Sequence, residues 1–392
     1  MEFNSSPRST IGVEVEYGIV SRETGELVPC AGEVLAELNF ASEQTDHPKV
    51  KHELFLASLE VITGICENPA EARADLASTL HELMPYLDRR GLGLESSGTH
   101  PFAHWDKIPI TQNDRYLRMV DKLQWPTHRL LIHGVHVHVG VRSPEKVIIT
   151  TNVAAQHLPV ILALSCSSPY WLGRDTGLAS VRTKIFETMP TTGIPPQLSS
   201  WDAYNKMIDA FIVSGTIETI REIWWDIRPH PDFGTVEFRM ADGIPTLQEA
   251  MAVAAIAQCL VTEIDRIVDE GGTFEFLPDW VLRENKWRAS RYGLDANLLI
   301  ATDGRTQPLR EQLVELIARL TPIAEQLGCA GELRFANQIA QSGASYQRQR
   351  QVVADGGTLQ DVVALLVREH DLSLESALAD HAALPREVGL TQ

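Results

Sequence analysis

The sequence predicts an α+β fold built on a mainly antiparallel sheet, and three observations carry that expectation. Runs with a period of two, the mark of a half-buried strand, recur through the first two thirds. Several of these runs follow one another with no helical pattern between them, which disfavours a doubly wound parallel sheet. After Thr246 the pattern becomes helical. Residues 1–245 are therefore expected to form the sheet region. Residues 246–392 are expected to form a helical part packed on the same large domain.

TIGVEVEYGIV (10–20) opens the chain as a strand. Ile11, Val13, Val15, Tyr17 and Ile19 share one face, and Gly12, Glu14, Glu16 and Gly18 share the other. AGEVLAELN (31–39) is a short helix. KHELFLASLEVITGIC (51–66) reads as two short strands or a bent pair and carries Glu53 and Glu60. The next helix starts at Asn68-Pro69, with Asn as cap, Pro at the first position and Glu71 in the first turn. It stops at Gly91. GLGLESSGTHPF (91–102) is strand and loop, LIHGVHVHVGV (131–141) a strand, and 145–166 a long helix. TMPTTGIPPQLSS (188–200) is a loop long enough to bind or cover a ligand. WDAYNKMIDAFIVSG is helical, and REIWWDIRPHPDFGTVEFRMADG (221–243) holds two strand-like runs around a Pro-rich turn. TLQEAMAVAAIAQCLVTEIDRIVDE, PLREQLVELIARLTPIAEQLG, GELRFANQIAQ and LQDVVALLVREH are helices. No repeat or low-complexity segment interrupts this order.

Thirty-four Lys and Arg against 52 Asp and Glu leave a formal charge of −18. That sign argues against nucleic acid or an anionic membrane as partner. It leaves room for an anionic small molecule, because arginines or a bound metal invert the field locally. Five scattered cysteines with no CxxC pair read as reduced, buried thiols of a cytoplasmic protein. MEFNSSPRS has no apolar core of signal-peptide type, and MAVAAIAQCLV (251–261) is too short to span a bilayer. The apolar helices after residue 246 and the sheet edges leave room for a homodimer.

Three strands share one design. In the first, Glu14 and Glu16 stand two residues apart on a face otherwise glycine. In HGVHVHVGV, His136 and His138 alternate with an all-valine face. In GTVEFRMA, Glu237 and Arg239 oppose Val236, Phe238 and Met240. Each pair alone has a plain structural explanation: a solvated strand face, a hydrogen-bonded histidine pair, a cross-strand ion pair. Their coincidence on three strands points to a shared site. Carboxylates with imidazole make a hard, oxygen-rich site for Mg²⁺ or Mn²⁺. Arg239 beside Glu237 suits a phosphate oxygen held next to metal. Zinc hydrolysis is the rival interpretation of His-x-His, but there is no HExxH and no cysteine ligand set. A P-loop is also absent, so any ATP would be held by metal and arginines.

TIGVEVEYGIV, KHELFLASLEVITGIC, GTHPF (98–102), HVHVG (136–140), SSPYWLGRDTGLASVR (167–182), WDIRPHPDFGTVEFRM (225–240) and RYGL (291–294) resemble the glutamate–cysteine ligase type 2 family, in particular its bacterial carboxylate–amine ligase branch. The resemblance covers almost the whole chain. It implies a glutamine synthetase-like fold, a curved antiparallel sheet whose inner face holds Mg²⁺ and ATP. It also implies small-molecule substrates, an amino acid carboxylate activated by ATP and an amine that attacks it. Glu16, Glu53 and Glu60 would hold one ion. Glu14, His138 and Glu237 would hold a second, with Arg239 on the transferring phosphoryl group and His136 beside them. Arg228 is a further candidate for the catalytic set. Arg182, His136, Arg115, Arg291 and His100 are candidates for substrate. Within the same fold superfamily a phosphotransferase to a guanidino or amine acceptor is the first alternative. A non-catalytic nucleotide or amino-acid sensor is the second.

Overall fold

A computed structural model describes residues 1–41 and 46–383. Residues 384–392 of the expected helical part lie outside the described residues. The main sheet has seven strands: β1 Ile11–Ser21, β2 Val50–His52, β3 Ser58–Ile62, β4 Leu92–Glu95, β5 Gly134–Gly140, β6 Ile227–His230 and β7 Thr235–Asp242. Their order is β6-β7-β5-β1-β3-β2, with β4 beside the far end of β1, and every neighbouring pair is antiparallel. The α+β, antiparallel expectation holds.

Alternation along each strand divides the sheet into two chemically different faces. Ile11, Val13, Val15, Tyr17 and Ile19 of β1, the three valines of β5, and Val236, Phe238 and Met240 of β7 are all buried in the main core. Helices α1 Ala31–Ala41, α2 Pro69–Asp88, α3 Asp114–Leu123, α4 Pro144–Ser165, α5 Trp201–Val213 and α6 Leu247–Asp269 follow in chain order. Of these, α2, α4 and α6 cover the apolar side of the sheet. Asn68 caps α2 as expected, its side chain accepting from Glu71 N at 3.0 Å, with Pro69 in the first turn. Helix α6 is buried on almost every side from Leu247 to Thr262, as its run of alanines and aliphatics requires. Helix α4 is long and apolar enough to cross a membrane by length and composition, but most of its apolar window is buried inside the fold, as in a core helix.

The last part adds α7 Asp279–Tyr292, α8 Leu309–Leu327, α9 Ala330–Ser342, α10 Ser345–Ala354 and α11 Leu359–Ala383. Leu313, Leu333 and Leu374 from this part join the same core as β1. Two details correct the sequence reading. A small hairpin pairs Asn297–Leu299 with Thr306–Pro308, so this part is not wholly helical. The loop 188–200 does not line the polar cleft; Thr192 and Gly193 are tied in parallel to Trp224 and Trp225. All five cysteines are free and buried, as expected.

Candidate active site

The polar face of the sheet floors a cleft of about 590 Å³. Register brings the site together. Glu14 lies opposite His136, Gly12 opposite His138, Glu16 opposite Glu60, Glu237 opposite His138, and Arg228 opposite Glu237. Each pairing joins one polar strand face to the next, so residues far apart in sequence share one patch. Glu53 and Arg115 complete the walls on the side of β2 and α3.

Two clusters share this floor. In one, Glu14 faces both histidines: His136 Nδ1 stands 3.1 Å from Glu14 Oε2, and His138 Nε2 3.4 Å from Oε1. Glu237 is fully buried. It accepts from Arg228 Nε at 2.5 Å and pairs with Arg239 Nη1. Burial would raise both carboxyls. For Glu14 the hydrogen bonds from His136 and His138 outweigh it, and for Glu237 the charges of Arg228 and Arg239 do, so both are held below the usual range. Burial lowers the His136 imidazole to about 4, with help from Arg239. His138 moves the other way, because Glu237 and Glu14 overcome its burial.

In the second cluster the balance reverses. Burial and the neighbouring Glu53 push Glu16 up to about 8. Burial raises Glu53, and burial with the charges of Glu14, Glu53 and Glu16 holds Glu60 well above the usual range. Glu16 accepts from Gly134 N at 2.5 Å, and Glu53 from Leu54 N at 3.1 Å. Among the described residues no Lys or Arg lies within ion-pair distance of these three carboxyls, although Arg182, Arg239 and Arg115 act on them from farther off. Three crowded carboxylates are a donor set that suits a hard divalent ion.

Ligand atoms of Glu14, His136 and Glu237 lie within 4.8 Å of one another, and so do those of Glu16, Glu60 and His136. Glu14 and Glu16 fall in different groups, as the sequence suggested. His136 sits between the groups, while His138, its Nδ1 3.0 Å from Thr235 Oγ1, presents Nε2 to Glu14 and Glu237. Strand register decides this, and it cannot be read from alternation alone.

The arginines separate by their free donors. Arg239 Nε and Arg182 Nε are buried without a hydrogen-bond partner among the described residues, an arrangement that suits an incoming anion. Arg182 has its Nη atoms 3.4 and 3.5 Å from the carbonyls of Met240 and Arg239, and its guanidinium over the Phe186 ring. It is carried by the segment 167–182, which buried Asp242 anchors by accepting from Ser168 Oγ at 2.7 Å and Ser180 Oγ at 2.8 Å. Gly134 makes the space, since a Cβ there would collide with Arg182 Nη2. Arg228 differs: its Nε binds Glu237 and its Nη1 the Ile223 carbonyl at 2.6 Å, so it positions Glu237. Arg115 stands exposed at the cleft wall.

Two candidates lie elsewhere. His100 is buried, with Nε2 2.8 Å from the Gly25 carbonyl and Nδ1 accepting from Ala103 N at 3.0 Å; it holds a turn. Arg291 binds the Gly177 carbonyl and stacks on Tyr292. Neither lines the cleft. Conversely, His230, Phe233, Tyr116, Met119 and Arg221 line it without having been singled out. His230 and Phe233 stack at 4.2 Å and meet His138 edge-on. The alternation that marks Arg228 also marks His230, so that residue was within reach.

The profile of glutamate–cysteine ligase family 2 matches residues 10–364. A Thermobifida fusca protein named "Putative glutamate--cysteine ligase 2" is 46% identical over 369 residues, 94% of this chain and 92% of its own. A Frankia alni protein, named as the 2-1 form of that ligase, is 48% identical over 366 residues, 93% of this chain and 96% of its own. Among solved structures, the glutamate–cysteine ligase of Francisella tularensis in complex with AMP aligns with a TM-score of 0.64 at 12% identity, over 100% of this chain and 97% of that one. A bifunctional glutathione synthetase from Pasteurella multocida aligns with a TM-score of 0.64 at 14% identity. It covers 94% of this chain, which spans about half (53%) of that longer one. These structures share the fold. The chain belongs to glutamate–cysteine ligase family 2 and is an enzyme of the ligase class that forms C–N bonds.

Proposed function

We propose that the protein uses ATP to phosphorylate the γ-carboxylate of glutamate and joins the resulting acyl phosphate to an amine, with cysteine as the acceptor to try first. One observation carries this reading: a single sheet face holds two clusters of carboxylate and imidazole groups and, beside them, two arginines whose buried Nε atoms have no partner among the described residues. A carboxylate is a poor acyl donor, and phosphorylation supplies a leaving group. The carboxylate oxygen bonds to the γ-phosphorus as the bond to the ADP oxygen breaks. The amine nitrogen then bonds to the carbonyl carbon as phosphate leaves and the nitrogen sheds a proton.

Glu16, Glu53 and Glu60 would hold one Mg²⁺ or Mn²⁺, and Glu14, Glu237 and the paired histidines another. The ions, when bound, neutralise phosphate oxygens. Arg239 holds the charge of the transferring phosphoryl group. Arg228 keeps Glu237 ionised and fixed. Arg182 takes a substrate carboxylate or phosphate oxygen through its free Nε. Burial of these groups strengthens each interaction relative to water.

The test is incubation with ATP, Mg²⁺, glutamate and cysteine, scored for ADP and γ-glutamylcysteine. The expected result is both products. No ADP with any amino-acid pair or amine would end the proposal. A stable phosphorylated acceptor, with no amide, would point to a phosphotransferase instead.

A further inference from the structure

A side annex opens from the cleft, and we propose that it receives the anionic end of the acceptor amine. The inference rests on the ligase reading above and adds the chemistry of the acceptor. The annex is a cavity of about 230 Å³ between α3 and the segment 218–224. Arg115, Met119 and Arg221 line both it and the cleft, so the two spaces adjoin across these side chains. Tyr116 and Met119 seat α3 against a buried apolar cluster, which holds this wall in place.

Its charge is opposite to that of the whole chain. Four cations, Arg115, Arg118, Lys122 and Arg221, face two carboxylates, Glu218 and Glu222, in a protein of net charge −18. Lys122 and Glu222 cancel in an ion pair at 2.8 Å, and Glu222 also closes the capping box with Thr219. None of the three arginines has a carboxylate within ion-pair distance among the described residues; Glu218 is the remaining carboxylate of the lining, and Arg115 also acts on Glu53 of the cleft from farther off. Guanidinium groups left unpaired around one small cavity match the planar oxygens of a carboxylate or phosphate. The size selects the occupant. About 230 Å³ accommodates an anionic group on a short carbon stem, below the roughly 300–1,000 Å³ of pockets that enclose a whole ligand. A nucleotide is too large, and its phosphates are matched in the cleft by Arg239, Arg182 and the metal ligands. Trp224 supplies the half-buried flat wall against which the stem packs.

The experiment compares amines that differ by one anionic group: cysteamine with cysteine, and ethanolamine with phosphoethanolamine. ADP formation is measured on the full chain and on Arg118→Gln, Arg221→Gln and the double variant. Thermal unfolding checks that each is folded. The wild type should prefer the anionic member of a pair, and the double variant should lose about tenfold of that preference while KM for ATP holds. Loss confined to one pair identifies the anion as carboxylate or phosphate. An unchanged preference overturns the proposal, and so does a rise in KM for ATP with preference retained, which would assign the annex to nucleotide phosphates. Calorimetric titration of cysteine and phosphoethanolamine without nucleotide separates this from the ligase reading. If no amine supports ADP formation, that reading fails, and the annex is then judged by binding alone. Weaker binding to the double variant supports it, and equal binding overturns it.

Discussion

Glu14 and Glu16 stand two residues apart on one strand and one face, yet their carboxyls behave oppositely. Glu14 meets two imidazoles and is held ionised. Glu16 meets Glu53 and Glu60 and is pushed up to about 8. The difference teaches that the floor has two halves. The half toward β7 carries its own counter-charges in Arg228 and Arg239, with His138 shifted toward its protonated form and His136 as a neutral hydrogen-bond partner. The half toward β3 and β2 has carboxylates in excess, with the nearest arginines beyond ion-pair distance among the described residues. A tightly packed ion-paired network and a charge-frustrated one thus sit side by side on the same sheet.

The contrast can be broken most severely from the paired half. Arg239→Ala leaves Glu237 buried with one arginine and removes the free donor. ADP formation in the presence of Mg²⁺ should fall on the order of 10³-fold. Activity within tenfold of wild type would remove Arg239 from the chemistry.

The frustrated half should make metal binding pH-dependent. Below about 8 Glu16 holds a proton that Mg²⁺ must displace. Affinity should then drop by up to about tenfold per pH unit as pH falls from 8 toward 6. Titration of Mg²⁺ against thermal unfolding across that range measures it, and Glu16→Gln should flatten the dependence. Affinity independent of pH would show that the carboxylates are already ionised.

A smaller effect carries opposite signs in the two halves. Without divalent ions, Glu60→Gln removes one of three crowded carboxyls and should stabilise the protein by about 1 kcal/mol. Glu14→Gln loses two imidazole contacts and should destabilise it by about 1–2 kcal/mol. Urea unfolding in EDTA decides between these signs. The smallest expected effect is kinetic silence: His100→Ala should lower stability by about 1–2 kcal/mol and leave KM for glutamate and ATP unchanged, because the side chain holds a turn outside the cleft.

What the sequence made legible was whatever alternation controls. The three polar strand faces, and with them Glu14, Glu16, His136, His138, Glu237 and Arg239, follow from period two. Which histidine lies between the two carboxylate groups depends on register, which is a property of two strands at once. Arg182 entered through its motif, but its free Nε and its serine-bound Asp242 anchor exist only in three dimensions. His100 and Arg291 belonged to matching segments whose role is to hold loops. Of the α3 wall only Arg115 was singled out beforehand; the rest of its cationic face has meaning only once β2 and the segment 218–224 are beside it.

Gly134 has a consequence for how this protein can change. Its N–H grips Glu16 while its missing side chain admits Arg182. Every amino-acid replacement there adds at least a methyl group where the guanidinium lies. Drift at this codon therefore cannot proceed by small steps: the first step already displaces the arginine. A lineage that altered the substrate would have to do so around this point, through the outer walls, where α3 and its arginines stand in solvent and can be exchanged one at a time.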